Sequence, residues 1–390
     1  MKLLTDTDSL AALCGRLASE PFITIDTEFL RETTFWPQLC LVQVAGEHEY
    51  ALIDPLADGI DLTPLFELLA NASVLKIFHA GRQDIEIFHY LTGAVPQSVF
   101  DTQIAAMVCG YGDQVGYDQI VRQTVGAAID KSNRFTDWSR RPLNDGQLAY
   151  AAADVTHLRD VYLHLADILE TKERSSWVAE EMATLLDPAT YSVEPNDAWQ
   201  RLKLRARKPI EFAALKAVAK WREEVAQARD VPRRRILKDD AIYELAQQRP
   251  QSLEALGRMR AVPRGFDKQP YAKALIEAMQ GVAAIPTDDL PRLPKSKRNP
   301  ESAPAIAELL KVALKLVAER EGVAPRIIAN TDDLENIAIH GDTDVKAMRG
   351  WRRGLFGDMA LQIRSGEMAL GVRGKRAVLV PMEASDEDDE

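Results

Sequence analysis

The sequence predicts an α/β domain built on a mixed sheet, followed by two all-helical blocks. Three observations lead there. Strand-like runs come first one after another and then alternate with helices, as in a sheet with both antiparallel and parallel strands. From Pro209 onward Ala, Leu, Glu, Lys and Arg dominate, and apolar residues recur at helical spacing. Two proline-marked stretches separate the parts. The resulting division is an α/β domain over 1–187, a linker over 188–207, a helical block over 208–285, a linker over 286–300, a second helical block over 301–372 and an acidic tail over 383–390. A chain of 390 residues is too long for one ordinary core, so several domains are expected in any case.

Leu10, Leu13, Cys14 and Leu17 give a helix over 7–19 one apolar face. Phe22 to Phe29 reads as a strand, rich in aromatic and β-branched residues. Leu39–Ala45 and Glu49–Asp54 are two more strands with Gly46 near their turn, which completes a meander. A helix over Leu65–Ala70, a strand over Val74–His79 and a helix over Arg82–Leu91 follow. Next come a short apolar segment at Val99 and Phe100, a helix over Thr102–Gly110 and several helices between 117 and 170. Asp187-Pro188 and Glu194-Pro195-Asn196 mark the first linker. Pro232, Pro250, Pro263 and Pro270 divide the first helical block into short helices. The second block opens with a helix over Ile306–Arg320. The blocks form a weak internal repeat: Val231-Pro232 before Arg235-Ile236-Leu237 parallels Ala324-Pro325 before Arg326-Ile327-Ile328.

Composition excludes several classes. Apolar residues make up 46% of the chain, yet no run approaches the roughly 18–20 needed to span a membrane. Asp6 interrupts the first residues before any apolar leader forms, so no secretory signal is expected. Cys14, Cys40 and Cys109 are far apart and odd in number, which speaks against a disulfide framework or zinc site and for a reducing cytoplasm. The net charge is −11, but it is unevenly spread. Residues 1–195 carry 13 basic and 29 acidic groups, whereas residues 200–238 carry 13 basic and 4 acidic groups. A strongly basic segment beside an acidic domain suits a polyanionic partner. A solvated helical surface would give the same charge pattern.

The chemistry resides in scattered acids. Strand side chains alternate faces, so Asp26 and Glu28 point to the same side and repel each other. A divalent cation between them would reverse that repulsion. Asp84 lies just past the carboxyl end of a strand, where open α/β sheets place ligands. Tyr150 and Asp154 are one helical turn apart, with three alanines between them leaving the approach clear. Each feature alone also fits a plain role: a strand running into a polar loop, a first-turn Asp favoured by the helix dipole, a helix packed through small residues. Together, four carboxylates and a phenol suit two hard divalent ions doing phosphoryl chemistry. No P-loop, G-x-S-x-G or H-E-x-x-H motif offers another mechanism.

Asp26-Thr27-Glu28, Asp84 and Tyr150-x-x-x-Asp154 resemble the three exonuclease motifs of the DEDD superfamily, tyrosine subclass. Lys131-Ser132, Thr136-Asp137-Trp138-Ser139-Arg140-Arg141-Pro142-Leu143 and Gln147 to Asp154 narrow the resemblance to the ribonuclease D family. The two helical blocks resemble its tandem HRDC domains, and Trp351-Arg352-Arg353-Gly354-Leu355-Phe356 is similar to its C-terminal region. The resemblance implies a ribonuclease H-like sheet and a 3′→5′ exoribonuclease that uses two divalent ions, Mg²⁺ or Mn²⁺. It further implies that Asp26, Glu28 and Asp154 ligate one ion, that Asp26 bridges to the second, that Asp84 acts largely through water and that Tyr150 positions the attacking water. The product would be a nucleoside 5′-monophosphate and the substrate RNA, above all tRNA precursors with 3′ extensions. A cytoplasmic monomer without membrane or organic cofactor is expected. Two alternatives stay open: a non-catalytic RNA-binding scaffold on a decayed exonuclease fold, and a single-stranded DNA exonuclease.

Around this set, Lys131 and Arg134 sit in a loop where they could hold a substrate phosphate. Phe35, Trp36, Phe135 and Trp138 are candidates for stacking on bases. Arg233, Arg234 and Arg235, with the basic cluster at 201–208, are candidates for tracking an RNA backbone. His79 has no His or Cys partner at ligand spacing and reads as structural or as a support behind the ligating residues.

Overall fold

Six strands build the sheet of the first domain in the computed structural model, which describes residues 2–294 and 302–382. They are β1 (Leu3–Leu4), β2 (Phe22–Leu30), β3 (Gln38–Ala45), β4 (Tyr50–Ile53), β5 (Leu75–Phe78) and β6 (Val99–Asp101), in the order β1-β4-β3-β2-β5-β6. β2 is central: it pairs antiparallel with β3 and parallel with β5. β1 was not anticipated, because two residues are too few to show alternation; it runs parallel to β4 at the sheet edge. In β2 the register with β3 shifts between Glu28 and Phe29. Such a bulge re-aims the side chains beside it.

Two connections determine where the acids come together. Between β5 and the helix Arg82–Thr92, the chain turns so tightly that a Cβ on Gly81 would lie 2.5 Å from Phe78 Cβ. Asp101, at the end of β6, accepts from the Ala80 and Gly81 amides at 3.1 and 2.8 Å and caps the helix Thr102–Cys109. The second connection is a 27-residue helix, Asp145–Thr171, which with the helix Tyr117–Thr124 makes up the helices expected between 117 and 170. An Asn144–Gln147 capping box starts it. Ala151 is fully buried against the sheet, and Thr24 Oγ1 on β2 donates to the Val155 carbonyl at 2.8 Å. The alanines therefore allow the helix to lie close on the sheet.

The segment read as the first linker is packed. It makes two short turns, Pro188–Thr190 and Pro195–Arg201, and Tyr191 is buried with its hydroxyl donating to the Leu185 carbonyl at 2.6 Å. The first helical block contains the helices Pro209–Ala228, Asp239–Gln248 and Ala272–Ala283 and has its own core of Leu215, Val218, Ile242, Leu245 and Leu275. The second contains the helices Ala303–Glu321, Thr331–His340 and Asp358–Ser365. Its Leu310, Val317, Ile337 and Phe356 continue the core of the α/β domain.

The expectation that the second block is helical through 372 is corrected. β7 (Met368–Arg373) and β8 (Arg376–Pro381) form an antiparallel hairpin about Gly374 and Lys375. Gly374 has φ +64°, as a two-residue hairpin turn requires, and Val378 and Val380 favour the strand. Residues 295–300 of the second linker, residue 301 and the acidic tail lie outside the described residues. Among the described residues no helix is long and apolar enough to cross a membrane.

Candidate active site

β2 and the helix Asp145–Thr171 bring three carboxylates together. One oxygen each from Asp26, Glu28 and Asp154 lies within 4.8 Å of the others. Asp26 and Asp154 border a cavity of about 300 Å³ that Tyr150, Tyr117, Lys131 and Arg134 also line. Oxygen donors at that spacing fit a hard divalent ion, and the repulsion among them argues against a purely structural purpose.

The electrostatics record the same crowding. Burial pushes the Asp26 carboxyl well above the usual carboxylate range, and the charges of Asp154, Asp84 and Glu28 add to it. Burial, then Asp154 and Asp84, push Glu28 up to about 9 against the attraction of Arg134. Asp154 rises to about 7 through burial, while a hydrogen bond from Tyr150 and the Arg134 charge oppose the shift. Tyr150 is itself shifted upward by burial and by Asp154, Glu28 and Asp26, so its hydroxyl stays protonated. A cation in the cavity would relieve each of these shifts.

Asp84 is not part of the three-oxygen cluster. It is 6% exposed, accepts a hydrogen bond from Thr27 Oγ1, and is raised by burial to about 6 against that hydrogen bond. Its charge nonetheless reaches Asp26 and Glu28. Thr27 was missed by the sequence reading. Its only signal is a buried hydroxyl residue between two acids, which alternation turns away from them. Tyr117 was missed as well. It donates to the Ala153 carbonyl at 2.9 Å, on the helical turn that carries Asp154, and no pattern around it sets it apart.

The surrounding expectations divide. Arg134 lines the cavity, and its charge reaches Glu28 and Asp154. Lys131 also lines it but is paired with Asp118 at 2.6 Å. His79 sits in the wall, its ring nitrogens 2.9 Å from Thr102 Oγ1 and 3.1 Å from the Val115 carbonyl. Trp138 is corrected: it is 2% exposed and packs with Cys40, Leu41 and Ala151 behind Tyr150, so no base can reach its face. Phe35 is likewise buried, in the core of the first helical block. Trp36 is also corrected. It stacks on Tyr90 at 4.4 Å, away from the acids, and its amide donates to Asp230 of that block at 2.9 Å. Arg233 is occupied too, bonding the buried Glu223 at 2.5 Å and covering the Phe35 ring. Arg234 and Arg235 are exposed and make no ion pair among the described residues, as are Lys203, Arg207 and Lys208.

Known proteins share both the sequence and the architecture. A 3′–5′ exonuclease family model matches residues 1–170, and an HRDC domain model matches residues 211–278. The ribonuclease D of Nitrobacter hamburgensis is 50% identical over 380 residues, 97% of this chain and 99% of that protein. The ribonuclease D of Gluconacetobacter diazotrophicus is 48% identical over 379 residues, 97% of this chain and 96% of that one. The crystal structure of Escherichia coli RNase D, an exoribonuclease involved in structured RNA processing, superposes with a TM-score of 0.83 at 28% identity, covering 94% of this chain and 98% of that one. A protein from Bifidobacterium adolescentis shares the fold with a TM-score of 0.70 at 22% identity, covering 94% and 97%.

Proposed function

The chain belongs to the ribonuclease D family of 3′→5′ exoribonucleases, and from that premise we propose that the carboxylate cluster of Asp26, Glu28 and Asp154 is its hydrolytic centre. It holds two divalent ions, Mg²⁺ or Mn²⁺, and acts on tRNA precursors and other structured RNAs with 3′ extensions, as a cytoplasmic monomer. The observation that carries the reading is the approach of three carboxylate oxygens to within 4.8 Å of one another, two of them from residues that line the cavity.

When bound, such ions make a water nucleophilic near neutral pH and neutralise charge on the leaving oxygen. The chain's own residues do the rest. Asp26, on the central strand, would hold the ions together with Glu28 and Asp154, whose oxygens lie within 4.8 Å of its own. Asp84, held by Thr27, contributes through water. Tyr150 keeps its proton, bonds to Asp154 and orients the attacking water. Arg134 faces the scissile phosphate. The water oxygen bonds to phosphorus as the bond to the 3′ oxygen breaks, the water's protons pass to the leaving oxygen and to solvent, and a nucleoside 5′-monophosphate departs. The exposed Arg234 and Arg235, with Lys203, Arg207 and Lys208, draw the RNA backbone without reading bases.

The test uses end-labelled tRNA with a 3′ trailer and a DNA oligonucleotide, each with and without Mg²⁺ or Mn²⁺. Metal-dependent release of 5′-monophosphates from the RNA is expected, with the DNA resistant. Asp26→Ala is expected to abolish turnover while RNA binding persists. Retained turnover in that variant would place the hydrolytic centre elsewhere. Faster loss of the DNA would favour a DNA exonuclease, and loss of neither a scaffold.

A further inference from the structure

Phe135 stands out among the apolar side chains: it is 91% exposed, more than any other large hydrophobic residue described. Its ring makes no aromatic contact among the described residues. Its only ring neighbour there is Arg134, whose guanidinium carbon lies 5.2 Å from the ring centroid. Arg134 in turn lines the acid cavity, and its charge reaches Glu28, Asp154 and Tyr150. An unpaired aromatic face therefore adjoins, one residue along the chain, a cation that lines the acid cavity.

The loop around it is anchored. The Arg134 amide donates to the Lys131 carbonyl at 3.1 Å, and the Thr136 amide and hydroxyl both reach the Asn133 carbonyl, at 3.3 and 2.9 Å. Gln147 Nε2 donates to Thr136 Oγ1 at 3.1 Å. Gln147 belongs to the capping box of the helix that carries Tyr150 and Asp154. Phe135 is thus displayed from a stem tied on one side to the cavity wall and on the other to the catalytic helix.

We propose that Phe135 is the platform on which a base of the RNA 3′ end stacks, with the adjoining Arg134 bonded to that nucleotide's phosphate, so that the enzyme selects unpaired 3′ ends. The assignment rests on the exoribonuclease reading above. Stacking on an aromatic face is tolerant of base identity and requires a base free of its partner strand. It explains why a large apolar side chain is held in water beside a charged cavity. It also supplies the single-strand contact that the buried Trp138 and the distant Trp36 cannot make.

The test compares wild type, Phe135→Ala and Phe135→Trp on short RNAs, with Mg²⁺ present. One RNA carries ordinary bases, and a matched one lacks the bases of its last two nucleotides. Phe135→Ala is expected to raise KM on the ordinary RNA roughly tenfold, the size of one lost base stack, with kcat unchanged. Phe135→Trp should restore the wild-type KM. On the abasic RNA, wild type and Phe135→Ala should be indistinguishable, because the contact is already missing. An unchanged KM in Phe135→Ala, or a defect that persists on the abasic RNA, overturns the assignment alone. A wild-type protein inactive on all of these RNAs overturns the exoribonuclease reading and the stacking role with it.

Discussion

The two helical blocks occupy similar places in the sequence and relate to the α/β domain in opposite ways. Each contains a buried charge. In the first block, Glu223 is 1% exposed and is met by Arg201 and Arg233, both from that block or the segment leading into it. In the second, Arg352 is 3% exposed, and it is met by Glu180 and Glu181 on the helix Ser175–Leu185 of the α/β domain. Beside it, Trp351 stacks on Trp177 of the same helix at 4.1 Å with the ring planes 1° apart. The Ala324 amide also donates to the Met107 carbonyl at 2.8 Å. The first block therefore neutralises its charge internally and keeps a separate core, and it touches the α/β domain through Phe35, Trp36 and Asp230. The second block completes the α/β domain's own core and borrows its charges. One block is an attached module; the other is part of the catalytic body.

The largest expected effect comes from breaking the borrowed charge. Arg352→Met takes one of two cations from the part-buried Glu181, leaving it Lys346 at 2.7 Å, strips the facing Glu180 of its cation and removes a 2.8 Å bond to the Ile327 carbonyl. Loss of one partner of a buried pair costs about 3–5 kcal/mol when nothing replaces it, and Lys346 beside Glu181 puts the expected loss at the lower end, about 3 kcal/mol. Hydrogen exchange should show lost protection at 178–185 and 327–356 together, with 212–226 in the first block unchanged. Equal loss in all three segments would mean that the chain unfolds as one unit and would erase the distinction.

A smaller effect separates the two bodies by pH and metal. Asp84, Asp154 and Glu28 are raised to about 6, 7 and 9, whereas unfolded carboxyls titrate near the ordinary 4. Between those limits the folded state binds more protons than the unfolded one, so stability without metal falls as pH rises. Divalent ions need the ionised carboxylates, so their stabilisation grows in the same direction. At pH 8 and a hundredfold excess over Kd, Mg²⁺ should add about 2.7 kcal/mol to the catalytic body, shrinking toward pH 5. The first block has no comparable cluster among the described residues, so its calorimetric transition should not respond. A metal response confined to the first block would sink the placement of the ions.

What the sequence made legible follows the reach of local geometry. Asp26 and Glu28 were readable because a strand alternates, and Tyr150 and Asp154 because a helix repeats every 3.6 residues. Those rules hold before any tertiary contact forms. Trp138 and Phe135 belong to the same short loop, yet one is core and the other is 91% exposed. Nothing in their spacing distinguishes them, because burial depends on Cys40, Leu41 and Ala151, brought from other elements. Arg233 read as a cation for RNA because its partner Glu223 lies on a separate helix. Trp351 and Arg352 drew notice only by resemblance, since Trp177 and Glu181 lie more than 170 residues earlier. The hairpin at the end of the second block was hidden by its brevity, with six residues in each strand.

Removing the internal charge of the first block should have the mildest consequence. Glu223→Gln preserves shape and one acceptor but loses the negative charge that holds Arg201 at 2.8 Å and Arg233 at 2.5 Å. Both arginines are partly exposed, so solvent compensates them in part, and a loss of about 2 kcal/mol is expected for that block. Arg233 also lies over Phe35, 4.3 Å from the ring centroid, so the same change loosens the seam to the α/β domain. The kinetic signature distinguishes a module from a body. KM for a long structured RNA should rise, while kcat and KM for an oligonucleotide too short to reach the first block should stay at wild-type values. If turnover of the short oligonucleotide falls as well, the first block shapes the acid cavity directly, and its independence from the catalytic body is lost.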